Sequence, residues 1–419
     1  MWSFNLLKII FLLAGDLLTF YFSLFLAIFL RYHFVFREEI FVSAGNYFLP
    51  VFFIWLIIFL IGRLYELAYT NNRREFFERV IKVFLANILI AALYFYLFTP
   101  DSYRPSLVLV MTVSLSFIIF IFWRTLANKI LQFKRLKVLI LSDNALVVRL
   151  QTFLQKNPQM GYEIVKEKNS SESPALVVLD SKGEKELKGV KTLSLIDFYE
   201  KVMSRVPLEL LSKEWFDFVL SRSSLDFYET FKRFFDFVGG IMLLIISLPL
   251  WPAIALIIKI DSRGPILYHS IRIGKNRKEF IIYKFRTMVK GANKMGPSWT
   301  LKDDSRITKI GKILRFTHLD EIPQVLNIIK GNISFVGPRP EEEKLIELFE
   351  QEIPFYKYRF LMKPGVIGWA QINYPHGSSI EDARHKLEYD FYYFKNRNLS
   401  FDLIIALKAW RIPFEIPTH

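Results

Sequence analysis

The sequence predicts a membrane protein of mixed class: a four-helix transmembrane bundle, a Rossmann-like α/β middle domain, and a mixed α/β domain entered through a bent membrane helix. Three observations predict it. Four apolar stretches near the N-terminus, each rich in Phe, Leu and Ile, are long enough to span a bilayer. From about Leu136 short apolar runs of strand length alternate with a helical pattern. A later apolar run, Phe237 to Ile258, is interrupted by Pro249 and Pro252. These place the bundle at residues 1–130, the middle domain at 136–206, a linker at 207–230 and the last domain at 231–419, with the bent helix at 233–260.

Composition agrees with this division. Of the 419 residues 52% are hydrophobic, which is a membrane protein's balance. The net charge of +15 gathers beside apolar runs and in the soluble remainder, which fits anionic lipid surfaces and phosphorylated substrates better than nucleic acid. There are no cysteines, so disulfides, thiolate zinc sites and a cysteine nucleophile are excluded.

The spans are read as Leu6 to Leu30, Phe48 to Ile61 (to Tyr65 if tilted), Val80 to Phe98 and Leu107 to Leu126. The first begins at the extreme N-terminus, is too long for a signal-peptide core and shows no cleavage site, so it is read as a retained anchor. The loop after the second span carries Arg63, Arg73, Arg74 and Arg79, and Lys129, Lys134, Arg135 and Lys137 follow the fourth. The loop between the third and fourth offers only Asp101 and Arg104, so the positive-inside rule puts both ends of the bundle in the cytoplasm. Asp16, within the first span, is read as an inter-helix hydrogen-bonding group in preference to a transport site.

In the middle domain KVLILS (Lys137 to Ser142) and ALVVLD (Ala175 to Asp180) read as strands, with a helix from Ala145 to Leu154. The turn after the first strand, SDNALVV, has no glycine. A backbone without that glycine fingerprint cannot approach a pyrophosphate closely, so a dinucleotide cofactor is not expected. Trp215 and Phe216 in the linker are expected to dock the middle domain on the C-terminal one.

The apolar run at 237–258 reads in two ways. Pro249 and Pro252 each remove a helical hydrogen bond and Ser247 can bond back one turn, so a sharp bend is expected at its middle. Lys232 and Arg233 before it and Lys259 and Arg263 after it give both ends the charge of one membrane face, which favours re-entry over a kinked fifth span.

The chemistry concentrates in Gly311 to Pro340, GKILRFTHLDEIPQVLNIIKGNISFVGPRP. Apolar residues at Ile322, Val325, Leu326 and Ile329 predict a helix over about 320–330, with Pro323 in its first turn and Gly331 ending it. Asp320 then lies at the N-cap, where backbone N–H groups and the helix dipole keep it ionised. It serves either as nucleophile or metal ligand, or simply as a cap with Glu321 supporting the first turn. Arg315 and Arg339 flank the pair, and Arg339 is stiffened between Pro338 and Pro340, as suits a rigid fork for phosphate.

The Asp-Glu pair followed by Gly-Pro-Arg-Pro, with IYKFRTM (Ile282 to Met288) upstream and KPGVIGWAQIN (Lys363 to Asn373) and LEYDFYYFKN (Leu387 to Asn396) downstream, resembles the bacterial sugar transferases, the polyprenyl-phosphate hexose-1-phosphate transferases. Their large members are similar throughout: four spans, a middle α/β domain, then a catalytic domain on a re-entrant helix. The resemblance implies transfer of sugar-1-phosphate from a UDP-sugar to polyprenyl (undecaprenyl) phosphate, releasing UMP, with ping-pong kinetics, at a bacterial inner membrane. It assigns Asp320 as the nucleophile that forms an aspartyl phosphosugar, and Glu321 as binding or orienting a metal ion. Arg339, helped by Arg315, is expected on phosphate; by their own pattern Lys284 and Arg286 either face phosphate or lie on a solvated strand face. By resemblance Asp402 lies near the site with support from Asp390, each otherwise a helix cap or paired surface carboxylate. Mg²⁺ is the expected cofactor, because a pyrophosphate repels a carboxylate until a hard cation neutralises it, and Asp320 and Glu321 offer oxygen ligands. Inner-membrane lipids and a homodimer are the remaining expected partners, with no nucleic acid.

The chain departs from the common pattern at Leu248, which separates Ser247 from the bend proline, at Ser270 in place of Gln, and at the loop Tyr374 to Ser379 (YPHGSS) in place of Asn-Gly-Arg. That loop is expected to contact sugar or nucleotide, so sugar identity does not carry over from relatives, and His376 either touches substrate or is simply solvated. Residues 289–310 are expected to form a lip over the site, Glu341 to Phe360 an architectural helix or pair, and the closing segment with Lys408 and Trp410 a surface-lying helix. Two other functions are weighed: a membrane scaffold for polysaccharide assembly, and a nucleotide-sugar dehydratase or epimerase, disfavoured by the missing glycines.

Overall fold

The computed structural model describes residues 3–35, 37–66, 73–99, 106–133, 135–142, 144–165, 176–179, 191–221, 224–292, 304–374, 377 and 379–409. Asp101, Arg104, Lys134, His376, Trp410 and residues 293–303 of the expected lip lie outside the described residues. The chain forms two compact units, Met1–Phe198 and Tyr199–His419.

The first unit opens with four long helices, α1 (Ser3–Arg31), α2 (Glu38–Ile61), α3 (Arg73–Phe98) and α4 (Ser106–Phe133). All four are long and apolar enough to cross a membrane. The second begins ten residues before the expected start at Phe48, the helix continuing back through the more polar stretch to Glu38, with Pro50 inside it. Phe48, Val51, Phe52, Trp55 and Phe59 form one buried face at helical spacing and stack against Phe20, Phe84, Phe95 and Phe120. Asp16 is fully buried and accepts a bond from Arg124 Nη2 at 2.6 Å, while Arg124 Nη1 donates to the Leu64 carbonyl at 2.9 Å. The intramembrane carboxylate therefore fastens α1 to α4.

After the bundle come β1 (Leu136–Leu141), α5 (Ala145–Lys156), β2 (Tyr162–Val165), β3 (Leu176–Leu179), β4 (Lys191–Ser194) and α6 (Leu195–Met203). The strands make one parallel sheet in the order β2-β1-β3-β4. Two of its strands, β2 and β4, have no sequence signal as long or as apolar as KVLILS. Asn144, in the glycine-free turn, caps α5 by accepting from Leu146 N at 3.0 Å. Lys8 ties α1 to this module by donating to the carbonyls of Gln159 and Met160 at 3.0 and 3.1 Å.

The second unit continues with α7 (Lys213–Leu220), α8 (Ser224–Ser247), α9 (Leu250–Asp261), β5 (Leu267–Ile273), β6 (Glu279–Phe285), α10 (Lys309–Phe316), α11 (Val325–Lys330) and β7 (Ser334–Val336). It closes with α12 (Glu343–Glu352), β8 (Gly365–Ile367), α13 (Trp369–Asn373), α14 (Ile380–Asn396) and α15 (Leu399–Ala409). β5 and β6 form an antiparallel hairpin and β7 pairs in parallel with β8. Leu208 and Phe216 from the expected linker join Val336, Trp369, Phe391 and Ile405 in the main core, with Trp215 packed against it.

The apolar run breaks where the sequence expects. α8 ends at Ser247, whose Oγ donates to the Leu244 carbonyl at 3.3 Å, and α9 leaves at 61° with Pro252 in its first turn. Each arm docks on a different part of the unit. On α8, Arg233 donates to the carbonyls of Ile328 and Ile329 at 2.7 and 2.6 Å, capping the carbonyl end of α11. One turn on, Asp236 accepts from Ser334 Oγ and Phe335 N at 2.9 and 3.1 Å. On α9, Ile254 and Ile258 pack with Phe285 and Leu314, and Asp261 accepts from Ile310 N at 3.2 Å. Between the anchors Phe234, Phe235, Met242, Ile245, Ile246, Leu248 and Leu250 stay exposed.

Candidate active site

Three short pieces of chain carry the candidate residues. The first is β6, where side chains alternate across the strand, so Lys284 continues the row of Phe280 and Ile282 that packs on Ile328 and Ile333. Asn327, fully buried on α11, locks this register: its amide accepts from Tyr283 N at 3.2 Å and donates to the Ile281 carbonyl at 2.6 Å. The second piece is the end of α10, which brings in Arg315. Gly311 lets that helix lie against the Thr287 backbone, since a Cβ there would meet the Thr287 oxygen at 2.0 Å. The third is the Gly337-Pro338-Arg339-Pro340 turn after β7, where Gly337 and Gly365 cross with no room for a side chain on either.

The helix expected over 320–330 forms in two parts, and this changes the reading of Asp320. Residues Leu319–Gln324 make a 3-10 turn entered through His318 at φ 55°, and only Val325–Lys330 is α-helical. Pro323, without an N–H, lies in the tighter 3-10 segment, and the α-helix begins two residues after it at Val325. Asp320 is therefore inside the 3-10 turn, with no N-cap to hold it ionised. Burial pushes its carboxyl above the ordinary range, helped by the Glu321 charge and opposed by Lys284, Arg315 and His318.

Glu321 has the opposite environment. Its Oε1 accepts from Lys284 Nζ at 2.6 Å and from Arg339 Nη2 at 3.1 Å. Burial would raise it, but Arg339 and Lys284 outweigh that and hold it well below the usual carboxylate range. Two adjacent carboxylates are thus driven apart: Glu321 is fixed as an anion between two cations, and Asp320, 7% exposed, has no hydrogen-bonding partner among the described residues.

The other expected residues divide. Arg315 donates Nε–H to Thr287 Oγ1 at 2.8 Å and lies within electrostatic reach of Asp320. Arg286 turns away and donates to Ser262 O and Oγ at 2.6 and 2.8 Å, closing the end of α9. Asp402 is taken up inside the fold by Lys232, Tyr228 and Tyr393. Asp390 supports not Asp402 but Arg359, which it holds at 2.8 Å, and Arg359 Nη2 in turn donates to the Arg339 carbonyl at 2.7 Å. Asn327 and Arg359 are positioning residues that sequence reasoning missed; a polar residue on the buried face of a helix was the available signal for Asn327.

A divalent cation fits as a guest of substrate. Among the described residues no three acidic or histidine side chains cluster, yet the buried, unpartnered Asp320 beside Glu321 offers the one or two carboxylates that Mg²⁺ uses when phosphates and water complete its shell.

A buried carboxylate pair among lysine and arginine, in a domain that grips both arms of a broken apolar helix, has the chemistry to hold phosphorylated ligands. Residues 227–415 match the profile of the bacterial sugar transferases, and the chain belongs to that family. It is 39% identical over 180 residues to the exopolysaccharide production protein PSS of Rhizobium leguminosarum bv. phaseoli, covering 42% of this chain and 90% of that protein. It is 39% identical over 184 residues to the UDP-N-acetylgalactosamine-undecaprenyl-phosphate N-acetylgalactosaminephosphotransferase of Aeromonas hydrophila, 44% of each chain. To the UDP-glucose:undecaprenyl-phosphate glucose-1-phosphate transferase of Escherichia coli (strain K12) it is 36% identical over 177 residues, 42% of this chain and 38% of that one. The match thus spans less than half the length of these last two relatives.

Proposed function

We propose that the chain is a membrane phosphoglycosyl transferase that passes sugar-1-phosphate from a UDP-sugar to polyprenyl phosphate and releases UMP. The observation that carries this is the split pair: Glu321 locked by Lys284 and Arg339, with Asp320 buried beside it and unpartnered among the described residues. A carboxylate with little solvent contact and no hydrogen bond to quench it is a better nucleophile than a fully solvated one. An Asp320 oxygen attacks the sugar-bearing phosphorus; the bond from that phosphorus to the bridging oxygen breaks, and UMP leaves with the electron pair. An oxygen of the lipid phosphate then attacks the same phosphorus, the bond to Asp320 breaks, and polyprenyl diphosphosugar leaves with the carboxylate restored.

Arg339, whose carbonyl is held by Arg359, and Arg315 grip the phosphates through both steps. Asp320 and Glu321 would hold Mg²⁺, which when bound supplies charge neutralisation for the pyrophosphate.

The broken helix is read as re-entrant, dipping into one leaflet with the catalytic unit on the cytoplasmic face of a bacterial inner membrane. This is supported by the docking of both arms on one compact unit and by the apolar residues left exposed around the break. The middle sheet, in which β2 and β3 flank β1, supports a small doubly wound, Rossmann-like module. A homodimer is part of the same reading, on family resemblance alone.

The test is UMP release by detergent-purified protein over several UDP-sugars, with polyprenyl phosphate and Mg²⁺. Release that depends on a donor and disappears in Asp320→Ala supports the mechanism. Absence of release with every donor, or an unaffected variant, would return the scaffold function to the front.

A further inference from the structure

A second feature of the catalytic unit lies just behind the Arg339 turn. A cavity of about 140 Å³ opens between α12 and α14, lined by Glu341, Phe349, Tyr356, Arg359, Lys386 and Asp390. Its volume is close to that of an engineered cavity, about 150 Å³, that takes a benzene ring. A single six-membered ring fits such a space.

The polar groups are unevenly used. Asp390 and Arg359 neutralise each other at 2.8 Å and are nearly fully buried, so they form a wall and not a binding pair. Lys386 donates to the Gly377 carbonyl at 2.7 Å and has further N–H donors. The Glu341 carboxylate has no hydrogen-bond or ion-pair partner among the described residues and lines the cavity. Phe349 and Tyr356, with ring centroids 5.4 Å apart, add aromatic surface.

Position ties the cavity to the proposed chemistry. Glu341 is two residues from Arg339, so at most about 7 Å of chain separates them, a span a nucleoside can bridge between phosphate and base. Arg359 touches both, lining the cavity and holding the Arg339 carbonyl.

We propose that this cavity seats the nucleobase of the donor and selects a pyrimidine bearing a ring N–H between two carbonyls, with Glu341 accepting the N–H and Lys386 donating to a flanking carbonyl oxygen. The inference rests on the transferase reading and adds the residues that choose the nucleotide. Cytosine presents a lone pair at the same ring position, which faces the Glu341 carboxylate and is repelled. Selectivity here is thus a matter of one proton.

The experiment is calorimetric titration of the full chain in detergent with UDP, CDP and inorganic pyrophosphate, for wild type, Glu341→Gln and Ala383→Leu, Ala383 lying in the cavity wall. Wild type is expected to bind UDP at least about 10-fold more tightly than CDP. Glu341→Gln, whose amide can serve either base, is expected to reduce that ratio to about 2-fold with an unchanged melting temperature. Ala383→Leu is expected to weaken UDP about 10-fold or more and leave pyrophosphate unaffected. If Glu341→Gln, folded by its melt, keeps the wild-type UDP to CDP ratio, the cavity is not the base site and the transferase reading stands. If wild type does not bind UDP, the donor class itself is wrong and this inference goes with it.

Discussion

At the scale of single residues, adjacent carboxylates are assigned different duties by their surroundings alone. Removing the charge of Asp320 should remove both an activity and a strain. Asp320→Asn is expected to abolish UMP release and to melt about 2–4 °C higher than wild type in metal-free buffer, because a buried, unpartnered carboxylate costs on the order of 1 kcal/mol or more. A lower melting temperature would refute the account of its burial. Glu321→Gln should behave otherwise: Lys284 and Arg339 lose their anion, and turnover should fall about 100-fold with a lowered melt. A variant that kept wild-type turnover would show the locked anion to be dispensable. The pair itself was legible in the sequence, since Asp-Glu ahead of Gly-Pro-Arg-Pro is a specific string. The inequality was not: it depends on Lys284, which reaches the pair from 37 positions upstream, and on a 3-10 turn in place of the expected N-cap.

Among elements, the broken helix and the long α14 illustrate what periodicity reveals and omits. Proline chemistry located the break to within a residue or two. The docking face of α8 was missed because Lys232 and Arg233 read equally well as charges for a membrane face, and only folding brings Asp402 and the end of α11 to meet them. α14 starts with a reciprocal capping box, in which Ser379 accepts from Asp382 N and Asp382 accepts from Ser379 N. The Ser379 hydrogen bonds hold the Asp382 carboxyl below its ordinary range. A carboxylate so lowered contributes stability above its unfolded pKa, and that contribution is lost as pH falls through the folded value. Asp382→Ala should therefore cost about 1 kcal/mol near pH 7, with wild type and variant converging as pH drops below about 3.9. A pH-independent difference in denaturation would contradict this.

For the whole molecule, the two units were legible in unequal measure. The four spans are evident from hydropathy, and α2 starts ahead of its expected start because hydropathy fades over Glu38, Glu39, Ser43 and Asn46 while the helix continues. The middle module's short strands β2 and β4 carry too few apolar residues to be seen before a sheet is there to receive them. In the bundle, Asp16 and Arg124 are separated by 108 positions and meet only in three dimensions. Arg124→Leu alone is expected to destabilise by about 3–5 kcal/mol, and Asp16→Leu with Arg124→Leu together to recover most of it. Chemical denaturation of the four variants in detergent would test the cycle, and additivity would refute the pair.

The clamps on α8 and α9 also bear on where lipid and water meet. Arg233 and Asp236 hold one arm, Asp261 and the Ile258 packing hold the other, and Asp320 lies in the turn framed by those same contacts. On the re-entrant placement proposed above, the apolar break behaves like the float of a buoy whose mast is rigid: its depth in the leaflet draws the waterline on the protein.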